Sequence, residues 1–410
     1  MDKKIKLLAI TPNKTGVGYY RSINPHVFMD EKYSDEVDVT IVDKIDLKDP
    51  NFGFGYDLIH FHASSNVDPN SVINKVKMWK RNGIKVVVDL DDYWMLPNYF
   101  PQYRMYNVQY KLHLYTIGLI KEADYITTTT EFFAKEIKKH NKNVFVIPNA
   151  IDPREKQFQK IDNKSDRLRV GIICGSSHEK DIELLRGLVN QLKPEIDKLQ
   201  FVICGFDLNG NVQYRDENGE LKQRPIRPEE TCWTKYESIL TDNYSILSDD
   251  YKRYLGMYTS VMEYPNVANM PYRRCWTKPV NQYATHYNNI DVLLAPLVEN
   301  KFDECKSQLK VIEAAFFNKV IIAQDFGPYK IDIKPYLGKG NVINEDGNGL
   351  LVNSDKNHKQ WAKYIKFLLD NPEARQKMAD NLSEKITKEY SLDTVTEKRF
   401  EIYKKILNRL

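Results

Sequence analysis

Short runs of apolar and β-branched residues recur through the first part of the chain: IKLLAIT, DVTIVD, DLIHFH, KVVVDLD, YITTT and VFVIPN. Polar or helix-periodic stretches separate them. Strands of this kind, buried on both faces and alternating with helices, build a parallel sheet covered by helices. A charged segment, REKQFQKIDNKSDR at 154–167, interrupts the pattern, which then resumes with RVGIICG, LQFVICG, DVLLAPL, KVIIAQ and GNGLLV. The architecture repeats while the sequence does not. The pattern therefore predicts an α/β protein with two Rossmann-like, parallel-sheet domains, 1–155 and 168–390. Residues 207–289, polar and aromatic with NGN and ENGE turns, read as an insertion in the second domain. From Lys359 onward the chain reads as helices, and SLDTV supplies an N-terminal cap for the last one, 391–410.

Of these elements, the unit from Asp291 to Ala323 carries the most chemistry. Its two strands flank a polar turn (VENKFDECKS) and a helical stretch. On a wheel of about 100° per residue, Lys306 at zero puts Lys310 near 40° and Glu313 near −20°. Leu309, Ile312, Ala315 and Phe316 fall on the other side, which is the face that packs on a sheet. In an open α/β sheet, ligands bind beyond the carboxyl ends of the strands, where a helix start favours an anion. Lys306 and Ser307 at that start could hold a diphosphate, and Glu313 two sugar hydroxyls. The alternative is a solvated face on which Lys310 and Glu313 form a local ion pair.

The segment NKFDECKSQLKVIEAAFFNKVIIAQDFGPY resembles the donor-sugar site of GT-B glycosyltransferases, in particular the large retaining family 4. Bacterial members carry a Lys-Ser pair, a second Lys, a Glu and then a Gly-containing loop. Lys306, Ser307, Lys310, Glu313 and Gly327 match that order. The commonest version has two glutamates separated by seven residues, and its first position falls here on Cys305. The resemblance implies two domains facing a central cleft, with the terminal helix returning to the first domain.

Other segments extend the resemblance. TPNKTGVGYYRSINP follows the first strand, where family members place a Gly-rich loop against diphosphate or acceptor, and Gly16, Gly18 and Arg21 match it. A generic tight turn is the other reading. GIICGSSHEKDIELL resembles the family's donor-phosphate loop, filled here by Gly175, Ser176, Ser177, His178 and Lys180, without the usual Arg. Asp181 could instead cap a helix there. KVVVDLDDYWMLP puts Asp89, Asp91 and Asp92 at a strand end. Asp91 takes the place of a family His near the reacting sugar, with Asp92 and Tyr93 on the acceptor side. Two alternatives stand beside this: an Asp-x-Asp metal pair, and carboxylates that cap the next turn. His60 and His62 end the strand DLIHFH, as structural histidines or as cleft lining, with His62 the acceptor-side candidate.

Composition narrows the class. The 410 residues are 42% hydrophobic and 28% charged, values of a globular protein, and a net charge of +4 gives no footprint for nucleic acid. Five cysteines with no short zinc spacing suit free thiols in a reducing cytoplasm. Neither a signal-peptide core nor an apolar run of about 18 residues occurs. The basic stretch NKVKMWKRNGIK has two readings: peripheral contact with an anionic membrane face, or a solvated helix with Trp79 buried. Together with the resemblance, these features imply a cytoplasmic hexosyltransferase. The resemblance implies a nucleotide diphosphate sugar as donor, a hydroxyl on a glycan, a lipid-linked glycan or a protein as acceptor, retention, and neither metal nor cofactor. Asp91, Lys306 and Glu313 are its expected catalytic groups. Epimerases and sugar phosphorylases of the same fold, and a binding protein without turnover, are the alternatives.

Overall fold

In the computed structural model, which describes residues 3–64, 69–100, 102–259, 262–338, 340, 342–353 and 358–409, two six-stranded sheets organise the chain. The first consists of β1 (Ile5–Ile10), β2 (Val37–Val42), β3 (Leu58–His62), β4 (Lys85–Leu90), β5 (Tyr125–Thr128) and β6 (Val144–Val146). Its order is β2-β1-β3-β4-β5-β6, and every pairing is parallel. The second contains β7 (Leu168–Ile173), β8 (Leu199–Phe206), β11 (Tyr272–Trp276), β12 (Val292–Ala295), β13 (Val320–Gln324) and β14 (Leu350–Val352), again all parallel. Its order is β11-β8-β7-β12-β13-β14.

Period-two alternation explains why these strands read as continuous apolar runs. Along β12, Val292 and Leu294 enter the core on one face of the sheet, while Leu293 and Ala295 enter the core on the other. Both faces are covered, so no position is left for a polar residue. The strand order reverses between β1 and β3 in the first sheet and between β7 and β12 in the second. Crevices open beyond the carboxyl ends of strands at such switch points. Two helix-covered parallel sheets are the arrangement that the GT-B resemblance implies.

Residues 207–289 are not a separate insertion throughout. Only β9 (Asn211–Arg215) and β10 (Leu221–Pro225) stand apart, as an antiparallel hairpin with mostly exposed side chains. β11 forms the edge of the second sheet beside β8. Its polar composition hid this, because its charge is neutralised internally: the Arg274 side chain lies 2.8 Å from Glu237, and both are buried. Glu237 also accepts hydrogen bonds from Tyr272 and Tyr244 at 2.8 and 3.0 Å.

The last helix, Leu392–Ile406, is capped by the Ser391 hydroxyl, which accepts from the Thr394 amide. Its Phe400, Tyr403 and Ile406 pack with Ile5, Leu7, Met29 and Val37 of the first domain. The helix before it, Pro372–Glu389, contributes Leu382 and Ile386 to the second domain's core. The chain thus crosses twice between domains, and the crossings lie side by side: the Leu392 amide donates to the Ile151 carbonyl at 2.8 Å. No described helix is long and apolar enough to cross a membrane. Trp79 is fully buried, its indole donating to the Phe52 carbonyl at 2.7 Å, so it is not available to a lipid surface.

Candidate functional site

A cleft of about 980 Å³ runs between the two switch points. On the second-domain side, the Asn300 side chain caps a single helical turn, Lys301–Glu304, and the following helix begins at Leu309. Lys306 therefore sits in the turn between two helices instead of on the wheel position the sequence suggests. Even so, Lys306, Lys310 and Glu313 all line the cleft. Lys306 Nζ is 2.8 Å from Asp303 Oδ1 and lies over the Phe302 ring at 5.1 Å. Burial works against its charge, but Asp303, Asp181 and Asp92 outweigh it and raise its pKa.

Lys310 differs. It is half-buried, burial lowers its pKa, and no carboxylate among the described residues comes within 4 Å of it. The local ion pair with Glu313 is not formed. Instead, both Glu313 carboxylate oxygens accept from tyrosine hydroxyls at 2.8 Å, one from Tyr20 of the first domain and one from Tyr287. Burial raises the Glu313 pKa against these bonds. The two oxygens predicted for sugar hydroxyls are thus engaged by protein. Cys305 is buried in the first domain's core cluster, so the position of the family's first glutamate faces apolar packing. The Ser307 hydroxyl, which lines the cleft, accepts from Asn149 across the domains at 3.2 Å.

On the first-domain side, the Asn13 side chain organises the loop after β1 by accepting from the Thr15 amide at 2.9 Å and the Gly18 amide at 3.3 Å. Gly16 lines the cleft, and a Cβ there would meet nothing within 4 Å. Gly18 does not line it. A Cβ on Gly18 would lie 1.8 Å from the Asn13 carbonyl oxygen, so this glycine is required by close backbone approach and not by a ligand. It opens a helical turn, Gly18–Ile23, where the sequence suggested a loop.

Arg21 reaches the cleft floor but is committed to protein. Its guanidinium grips Asp89 through Nε and Nη2 at 2.9 and 2.6 Å, and Nη1 donates to the Ile147 carbonyl at 2.6 Å. Asp89 is fully buried, also accepts from Thr127, and is held well below the usual carboxylate range. Burial opposes that ionisation and Arg21 overrides it. The Asp-x-Asp pair is consequently split, since the Asp89 oxygens are occupied. An acceptor-binding role for Arg21 gives way to support of the floor.

Asp91 and Asp92 follow β4 into the cleft. His62 Nε2 donates to Asp91 Oδ1 at 2.9 Å, while the Ser64 amide donates to Nδ1 at 3.2 Å, which assigns the neutral tautomer. Burial disfavours charge on His62, but Asp91 outweighs it and its pKa is raised. His62 touches Asp91 without lining the cleft. Asp92 keeps surface open to the cleft, yet its carboxyl is pushed up to about 7 by burial among the cleft walls and by Asp91. Tyr93 does not line the cleft; its ring lies tilted against Trp94 and edge-on to Phe133, with ring centroids 4.5 and 6.3 Å away.

From the loop after β7, Gly175 and His178 line the cleft. Ser176 and Lys180 are exposed and do not line it. His178 Nδ1 lies 2.7 Å from Asp181 Oδ2, and its pKa falls to about 4 through burial and the nearby Lys310 and Lys306. A carboxylate only accepts, so the proton sits on Nδ1 and Nε2 is an acceptor. This suits a sugar hydroxyl better than a phosphate oxygen. Asp181 in turn accepts from the Val298 amide at 2.8 Å.

Further lining residues escaped the sequence reading: Lys14 and Thr15, Asn149, Tyr329, and the run Lys278–Asn281 with Tyr283. The TKPVNQY segment has no periodicity, and its position next to an unrecognised strand removed the one signal that placed it.

No family model matches the sequence and no curated protein matches it. Solved structures do. A glycosyltransferase from Rickettsia africae aligns over 100% of both chains with 13% identity and a TM-score of 0.60. Anabaena HepE in complex with UDP aligns over 98% of this chain and 100% of its own, with 12% identity and a TM-score of 0.59. The pneumococcal O-GlcNAc transferase GtfA with UDP and GlcNAc covers 85% of this chain, 57% of its own, at 13% identity and a TM-score of 0.52. At these identities the likeness establishes the fold.

Proposed function

We propose that the chain is a glycosyltransferase that moves a hexose from a nucleotide diphosphate sugar to a hydroxyl acceptor, with retention and without a metal. The observation that carries this reading is Lys310, a half-buried cation with no carboxylate within 4 Å among the described residues, beside the start of the Leu309–Phe316 helix. A desolvated, uncompensated charge costs stability, and a diphosphate would offset it. The HepE complexes contain UDP or UDP-glucose, which supports the same donor class here. Lys306 and Lys310 would offset charge growing on the departing diphosphate. His178 Nε2 would accept from a donor-sugar hydroxyl, and Asp92, oriented beside the His62–Asp91 pair, would hold the acceptor hydroxyl. Domain closure would exclude water, letting transfer outrun hydrolysis. Glu313 fits a positioning role, tying the helix to Tyr20 across the cleft. With both Asp89 oxygens held by Arg21, the Asp89–Asp91 pair of an Asp-x-Asp metal site is not free.

One feature favours a second reading, a nucleotide-sugar binding protein without turnover: the place of the family's first glutamate is a buried Cys305. A thermal-shift panel of nucleoside diphosphates and nucleotide sugars, with and without EDTA, followed by donor hydrolysis, separates the two. Stabilisation by one nucleotide regardless of EDTA, together with release of that nucleotide from its sugar, supports transfer. Stabilisation without release supports binding alone, and no stabilisation overturns both.

A further inference from the structure

Behind the cleft wall, three soft ligand groups converge. Cys204 on β8 and Cys275 on β11 are register partners in the sheet, and His286 comes from the 3₁₀ turn Tyr283–Asn289. One sulfur from each cysteine and a ring nitrogen of His286 all lie within 4.8 Å of one another. His286 is fully buried, and neither of its ring nitrogens has a hydrogen-bond partner among the described residues. Burying one such orphan costs about 1–3 kcal/mol, and a histidine carrying two needs an explanation. A disulfide between the cysteines would not supply one, because it would leave both nitrogens as they are.

We propose that Cys204, Cys275 and His286 bind a thiophilic transition-metal ion such as Zn²⁺. Zinc bonds of about 2.3 Å to sulfur and about 2.0 Å to nitrogen place ligand atoms roughly 3.5–3.8 Å apart, so small side-chain rotations close the set around an ion. Binding Zn²⁺ to two thiols and a neutral imidazole releases two protons, and the two thiolates balance the ion's charge. The site is built into the molecule's function as well as its core. Residues 277–283, whose Lys278–Asn281 and Tyr283 line the cleft, run from just after one ligand, Cys275, to just before another, His286. Tyr283 itself meets His286 edge-on with ring centroids 5.8 Å apart. A bound ion would staple both ends of this cleft-lining segment to the sheet.

The test is titration of the full chain, reduced and stripped of metal, with Zn²⁺ against a chromophoric chelator, and with Co²⁺ followed by its sulfur-to-metal charge-transfer absorption. One ion per chain, a thiolate–cobalt band and two protons released are expected. Cys275→Ser should weaken binding by more than about 100-fold, beyond what loss of an outer-shell partner produces. His286→Gln should do likewise, and Cys232→Ser should change nothing. Substoichiometric uptake would overturn the proposal, as would affinity unchanged in Cys275→Ser. So would a Cys204–Cys275 disulfide in protein that stays indifferent to Zn²⁺ after reduction.

Discussion

Lys306 and Lys310 face the same cleft under opposite conditions, and their substitutions should separate accordingly. Lys306 balances Asp303, so Lys306→Ala strands a buried carboxylate and should lower the melting temperature. Lys310 has no such partner among the described residues, so Lys310→Met should leave the melting temperature unchanged or raise it. The same change should weaken UDP binding about 10- to 150-fold, equivalent to the roughly 1.5–3 kcal/mol of a charged hydrogen bond, as read by calorimetry. Unaltered UDP affinity in Lys310→Met would remove the diphosphate assignment. Asp92 supplies a pH test. Burial among the cleft walls and the neighbouring Asp91 push its carboxyl up to about 7, above its value in an unfolded chain, so the folded state binds the extra proton between the two. Its contribution to stability is therefore lost as pH rises through about 7, and water in the cleft screens part of the effect. Asp92→Asn should raise the melting temperature at pH 8 and leave it nearly unchanged at pH 4, measured by calorimetry at both. At this scale the sequence shows which residue types gather at strand ends, and it is silent on their partners. Arg21, His62 and Glu313 are all where strand and helix counting puts them, yet each is held by a side chain from a distant segment: Asp89, Asp91, and Tyr20 with Tyr287.

Element boundaries show a similar division. The parallel strands were legible because burial on both faces leaves uninterrupted apolar runs. β11 was not, because Arg273 and Arg274 find Glu263 and Glu237 as partners that no local pattern announces. The helix start at Leu309 was misplaced because the wheel periodicity continues backward through a turn that Asn300 caps. In the loop after β1, two glycines look equivalent in sequence and are not. Gly18→Ala drives a Cβ into the Asn13 carbonyl and should cost roughly 3 kcal/mol or more by denaturant unfolding. Gly16→Ala meets open space and should fold like the parent. Equal stability of the two variants would refute the close approach at Gly18.

Across the whole molecule, the first domain is completed by its most distant segment. Phe400, Tyr403 and Ile406 cover apolar residues of β1, β2 and the Asn24–Lys32 helix, and Arg399 Nη1 lies 3.4 Å from His60 Nε2 in the same buried layer. Residues 1–155 expressed alone should therefore aggregate or unfold at low denaturant. Supplying residues 391–410 as a separate peptide should restore a cooperative transition by circular dichroism. A fully stable 1–155 fragment would show that the helix is dispensable.

The same layout sets an order on biogenesis. In order of synthesis β1 comes before every strand of the second domain, and its apolar cover, Leu392–Ile406, comes after all of them. The second domain has all its strands available earlier than the first can close. A nascent or truncated chain thus holds a folded second domain joined to a first one with exposed hydrophobic surface, the form that chaperones and proteases recognise. Arrival of the Leu392–Ile406 helix is therefore the step that completes the first domain's side of the cleft.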